Sequence, residues 1–152
     1  MLSRIALITF SLLTCVPVLA GPKEDALAAY QKFFDAFTTD NHDQMVRLFA
    51  PDALFYGTRS TELVTTPEGI RQYFVEALSG KRGSVKATPF EQTAIVLSDS
   101  IVAISGKWQS ERTADGKMVT AGPLRNTVAI QKRGDRWLIV QFHNSATPKS
   151  SP

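Results

Sequence analysis

Cysteine is almost missing from this sequence: Cys15 is the only one in 152 residues, and only two histidines occur, His42 and His143. A lone thiol excludes a disulfide framework and a thiolate metal site. With no His/Asp/Glu spacing that resembles a metal motif, nothing in the sequence calls for a metal or another cofactor. Charge of one sign is not in excess either. Lysine and arginine total 17 against 14 acidic residues, a formal +3. The basic residues are scattered except for Lys132, Arg133 and Arg136 beside a turn signal, which reads as a solvated hairpin tip. This balance gives no argument for nucleic acid as a partner. The uncharged run Ile5 to Val16 is shorter than the roughly 20 residues that a bilayer core requires.

Arg4 precedes that run, and Val18-Leu19-Ala20 closes it with a small-residue cleavage pattern. Residues 1–20 therefore read as a secretory signal peptide cut after Ala20, and the protein is expected to be periplasmic or secreted. A lipid anchor on Cys15 fits less well, because Thr14 stands where Gly, Ala or Ser is usual. The exported chain would have no cysteine, 16 basic against 14 acidic residues, and no membrane segment. One domain is expected over 21–148, followed by a polar tail, 149–152.

Leu27, Tyr30, Phe33, Phe34 and Phe37 recur at helical spacing and predict a long amphipathic helix from about 23 to 38. Asn41 and Gln44 form a capping signal for a short second helix carrying Met45, Val46, Leu48 and Phe49, ended by Pro51. A short strand follows from Ala53 to Gly57. Thr66, Pro67 and Glu68 open a third helix, whose stripe of Ile70, Tyr73, Phe74, Ala77 and Leu78 is closed by Gly80. From residue 84 the period becomes two, with runs near 84–97, 100–113, 118–132 and 136–146 joined by turn signals. They form an antiparallel meander, and Gly122-Pro123 predicts a bulge in a curved sheet. The expected class is α+β, with three N-terminal helices packed on a curved, mostly antiparallel sheet. Both faces of the last strand are partly apolar, with Leu138, Val140 and Phe142 expected on one and Trp137 and Ile139 on the other. One helical layer covers one face, so a homodimer through the other is expected, a larger ring being an alternative.

The order of helix, short helix, strand, Thr-Pro-Glu-Gly helix and four-strand meander resembles the cone-shaped nuclear transport factor two-like, or SnoaL-like, superfamily over nearly all of 23–148. Arg125-Asn126-Thr127-Val128-Ala129, the turn before Trp137, and the tip Phe142-His143-Asn144-Ser145 with Pro148 are similar to the calcium/calmodulin-dependent protein kinase II association domain and its exported bacterial relatives. The hub's pocket arginine corresponds here to Val128, with Arg125 three residues earlier. The resemblance implies a cavity between helices and concave sheet.

Such an apolar cavity with a few convergent polar groups is the place to look for a ligand. Val102, Ile104, Gly106, Trp108, Ser110 and Arg112 share one strand face, so Trp108 and Arg112 are candidate linings, with Tyr56 from the first strand. Trp108 reads first as core and second as a stacking surface. Arg125 either clamps a carboxylate through its fork, pairs with an acidic neighbour or reaches solvent. His143 has the pKa range for proton transfer, yet a strand-end histidine bonded through its ring, or lying at a dimer seam, explains it as well. Ser145 lacks a nucleophile elbow. Tyr30, Asp35, Tyr56 and Glu62 are the groups available for ketosteroid-isomerase-like chemistry, and structural roles suit all four. The leading expectation is a non-catalytic module that binds a small organic molecule or serves assembly. The alternative is an isomerase, cyclase or dehydratase using His143 or a cavity carboxylate as base.

Overall fold

The structure, a computed structural model, describes residues 21–78, 85–114 and 116–148; the expected leader, the Gly80 helix stop and the tail lie outside them. Helix α1 (Pro22–Thr38) begins with proline in its first turn and with Glu24 and Asp25 near its positive end. It buries Ala26, Tyr30, Phe33, Phe34 and Ala36. The chain turns at Asp40, in the left-handed region with φ 53°. Asn41 then caps α2 (His42–Arg47): its Oδ1 accepts from Gln44 N at 3.0 Å, and its Nδ2 donates to Gln44 Oε1 at 3.3 Å. Helix α3 (Pro67–Leu78) is capped by Thr66, whose hydroxyl accepts from Gly69 N at 3.1 Å.

The second helix is shorter than its sequence suggests. It stops at Arg47, and Phe49 and Ala50 already belong to strand β1 (Phe49–Tyr56), which pairs parallel with the last strand. Burial of Phe49 among Phe33, Phe55 and Phe142 overrides the local helical pattern. Pro51 sits where the β1 register slips, between Phe49 and Leu54, as suits a proline in an edge strand.

The remaining strands are β2 (Val85–Ser98), β3 (Ile101–Ala114), β4 (Lys117–Arg133) and β5 (Arg136–Ala146), in the sheet order β1-β5-β4-β3-β2. The expected bulge is present. Trp108 pairs with Leu124 and Ser110 with Ala121, so Gly122 and Pro123 together oppose Gln109, across a cis peptide. Gly122 has φ 125°, and a Cβ there would lie 3.1 Å from Trp108 O, so the crossing requires glycine.

A second bulge corrects the parity expected for β5. Ile130 pairs with Ile139 while Ala129 pairs with Gln141, so Val140 is the extra residue and Ile139 shares the face of Phe142. That concave face meets α1 and α3. Phe33 lies at the centre, 5.2 Å from Phe142, 5.3 Å from Phe34 and 5.8 Å from Phe74 by ring centroids, mostly edge to face or tilted.

Candidate ligand site

Between α1, α3 and the concave sheet lies a cavity of about 300 Å³. Its floor is aromatic: Phe33, Phe37, Phe74, Trp108 and Phe142. Leu78, Val85, Val119 and Leu124 form the walls, and Thr58, Arg59, Ser110, Arg112 and Asn144 supply the polar groups. Gly57 is part of the lining because the Tyr73 ring lies over it; a Cβ there would fall 2.1 Å from Tyr73 Cζ.

Two of the five expected ligand residues are in this cavity. Strand parity puts Trp108 and Arg112 inward, as anticipated. The other three are placed elsewhere. Phe55 takes the inward position of β1, so Tyr56 points to the convex face, 41% exposed. There its ring meets His143 at 6.2 Å. Leu124, Asn126, Val128 and Ile130 take the inward positions of β4, which sends Arg125 outward to donate to Ala146 O at 3.4 Å. Phe142 and Asn144 point inward on β5, and His143 is exposed between them.

Asn144, Thr58 and Arg59 are the polar lining residues that sequence reasoning missed. Asn144, only 5% exposed, accepts from Trp108 Nε1 at 2.8 Å and donates to Thr58 Oγ1 at 2.5 Å. It thereby ties the cavity wall to the loop that carries Arg59. The period-two pattern running on from Phe142 would have pointed to Asn144. Arg59 lies in an aperiodic loop that carries no such signal. Deeper still, Asn126 Nδ2 donates to the Tyr30 hydroxyl in the core. Burial pushes the Tyr30 phenol well above its usual range, and the Asn126 hydrogen bond offsets this only in part.

The cavity's charge is one-sided. Among the described residues, the side chains of Arg59 and Arg112 make no hydrogen bond or ion pair, and no carboxylate or histidine is in the lining. Asp35 and Glu62 are exposed and outside it. A polar depression at the α1–α2 corner holds the other histidine. There His42 Nε2 lies 2.8 Å from Asp40 Oδ1, and Arg71 Nε lies 3.3 Å from Asp43 Oδ1. No group of three or more potential metal ligands occurs among the described residues, and none of their helices is long and apolar enough to cross a membrane.

A family profile described as a SnoaL-like domain matches residues 26–149. The chain belongs to the SnoaL-like domain family. Among solved structures, this SnoaL-like domain is similar to a protein from Xanthomonas campestris assigned as a calcium/calmodulin dependent protein kinase II association domain. The two are 26% identical with TM-score 0.75, over 94% of this chain and 99% of that one. The association domain of the Caenorhabditis elegans kinase is 18% identical with TM-score 0.71, over 82% and 95% of the two chains. A protein from Streptomyces avermitilis, assigned as a dehydratase of the nuclear transport factor two-like family, is 10% identical with TM-score 0.71, over 83% and 97%. No curated protein matches the chain. Both the α+β cone and the superfamily resemblance expected from the sequence are thus shown, and enzymes and association domains alike share the fold.

Proposed function

We propose that this SnoaL-like domain is an exported, non-catalytic module that holds a small organic anion in its cone and self-associates through the convex face of its sheet. The supporting observation is the lining itself: an aromatic floor and two guanidinium groups, with no acid–base pair among the described residues beside them. Proton transfer needs a titratable group within hydrogen-bond reach of the substrate. His143, the base considered from sequence, lies on the far side of the sheet. An apolar body fits the floor, and a carboxylate at the rim suits the arginine fork. Folds alone do not decide function, so the site carries this reading.

The convex face supports the second half. One row across all five strands reads Tyr56, His143, Thr127, Ser105 and Thr93, and the next reads Leu54, Gln141, Ala129, Ala103 and Ile95. Neither row contains Asp, Glu, Lys or Arg. A solvated sheet face normally carries such residues, and their depletion is a mark of an interface core. The export half rests on residues 1–20, where Arg4, the uncharged run Ile5 to Val16 and the Val18-Leu19-Ala20 pattern read as a signal peptide.

A thermal-shift series with phenylacetate, hexanoate and the corresponding neutral amides tests the ligand. Saturation at a hundredfold excess over Kd stabilises the folded state by about 2.7 kcal/mol. The carboxylates are expected to raise Tm, with the gain lost in Arg112→Gln and reduced in Arg59→Gln. If no carboxylate stabilises the protein, or the arginine variants respond as the parent does, the anion reading is refuted.

A further inference from the structure

Polarity along the cavity is graded. On the inward face of β3, Trp108, Ser110 and Arg112 follow one another towards the β3–β4 turn, and all three line the cavity. Residues directly opposite in antiparallel strands share a face, so pairing extends each of them into a band across the cavity wall. Trp108 is paired with Leu124. Ser110 stands between Ala87 and Ala121, and Arg112 between Val85 and Val119. The bands therefore run bulky, small and cationic.

The innermost band offers an anion no side-chain donor. Phe37 and Phe34 pack on the Trp108 ring at centroid distances of 5.1 and 5.8 Å. The indole N–H already donates to Asn144, whose amide in turn donates to Thr58. An apolar group fits there, and a charge would lose its hydration without compensation. In the outermost band the half-buried Arg112 has no ion-pair partner among the described residues, so its fork is where a carboxylate gains most. The rise of a strand puts the α-carbons of Trp108 and Arg112 about 13 Å apart. Between them the middle band carries only methyl groups and one hydroxymethyl, which leaves the path from floor to arginine open.

We infer that the cavity takes an elongated amphiphilic anion, with an aryl or alkyl end on the Trp108 band, a slender linker over Ser110 and Ala121, and a carboxylate at Arg112. This ligand shape rests on the anion reading above and extends it. Arg59 lies outside the three bands, in the loop after β1, and adds positive charge without setting the length. A compact carboxylate anchored at Arg112 leaves the aromatic floor uncovered. Each methylene inserted between ring and carboxylate carries the ring further across the small-residue band, and a buried methylene strengthens binding about fourfold.

Isothermal titration of the purified protein with phenylacetate, phenylpropionate, phenylbutyrate and phenylvalerate, each beside its neutral amide, tests the shape. Kd is expected to fall by about that factor per methylene among the carboxylates, with the amides weaker throughout. In Ala121→Leu the gain with chain length should vanish, because leucine fills the middle band. Position 121 is exposed, so the core stays intact, which an unchanged Tm of the free variant verifies. A second readout needs no change in the cavity. In Trp137→Phe, Trp108 is the remaining tryptophan, and phenylvalerate should shift its emission while phenylacetate should not. Affinity independent of chain length, a gain that a folded Ala121→Leu retains, or emission shifted equally by phenylacetate would each overturn the inference and leave the anion reading standing. If no carboxylate binds, or the amides bind as well, the anion reading falls and the inference with it.

Discussion

Replacing Asn144 with leucine probes the polar link between cavity wall and loop. Asn144 is 5% exposed and Trp108 is 3% exposed, so the indole N–H has no route to bulk water once its acceptor is gone. A buried donor left without a partner costs about 1–3 kcal/mol. The lost bond to Thr58 adds little, because that hydroxyl is exposed and water replaces Asn144 there. Leucine nearly matches asparagine in volume and keeps water away from the indole, giving an expected loss of about 2 kcal/mol. For a domain of this size that corresponds to a fall in Tm of roughly 6–12 °C by calorimetry or circular dichroism. Asn144→Ala opens space beside the cavity, through which water can reach Trp108 Nε1, so alanine should cost less than leucine. In a Trp108→Phe background the donor is already absent, and Asn144→Leu should lose about 1–2 kcal/mol less than in the parent. Alanine proving more damaging than leucine, or a leucine cost unchanged by Trp108→Phe, would refute the reasoning. Asn144 would then act through packing and not through the hydrogen bond.

Two further outcomes follow from the same interior. The Tyr30 phenol is held above its ordinary value near 10 by burial, so the folded state keeps its proton longer than the unfolded chain does. That contribution is fully present below about pH 10 and is lost as pH rises from there towards the folded value, at about 1.4 kcal/mol per pH unit. Tyr30→Phe should flatten this alkaline decline in urea-unfolding free energy while lowering stability at pH 7 by about 1–2 kcal/mol, through the unpaired Asn126 amide; an unchanged alkaline slope would contradict it. Gly57→Ala drives a methyl group into the Tyr73 ring and should cost about 1–3 kcal/mol, with weaker anion binding in the cavity that Tyr73 borders. Retained Tm and affinity would show that Tyr73 swings away freely.

The sequence alone determined the order of elements and the cone. Helical spacing of Tyr30, Phe33, Phe34 and Phe37, the Asn41 cap, and period-two runs after residue 84 each specify a local conformation with its own apolar side. Glycine followed by proline at 122–123 specified the bulge, because neither residue fits a regular central strand. Trp108 and Arg112 were legible as cavity residues for the same reason, since β3 runs without interruption from Val102 to Trp108 and keeps its parity beyond the bulge.

Only tertiary structure decided the rest of the site. Which face of β1, β4 and β5 turns inward depends on what packs against it, and a neighbouring pair such as Phe142 and His143 or Phe55 and Tyr56 offers aromatic character on both sides. Burial of the phenylalanine settles each pair and sends His143, Tyr56 and, by the same alternation, Arg125 outward. Phe49 left its helical pattern because the aromatic core gained more from it in β1. Arg59 reaches the cavity from a loop whose position is fixed by contacts distant in sequence, Thr58 to Asn144 above all. Local periodicity records the state of a strand, but the choice between its two faces is made by the partner across the core, and that partner lies elsewhere in the chain.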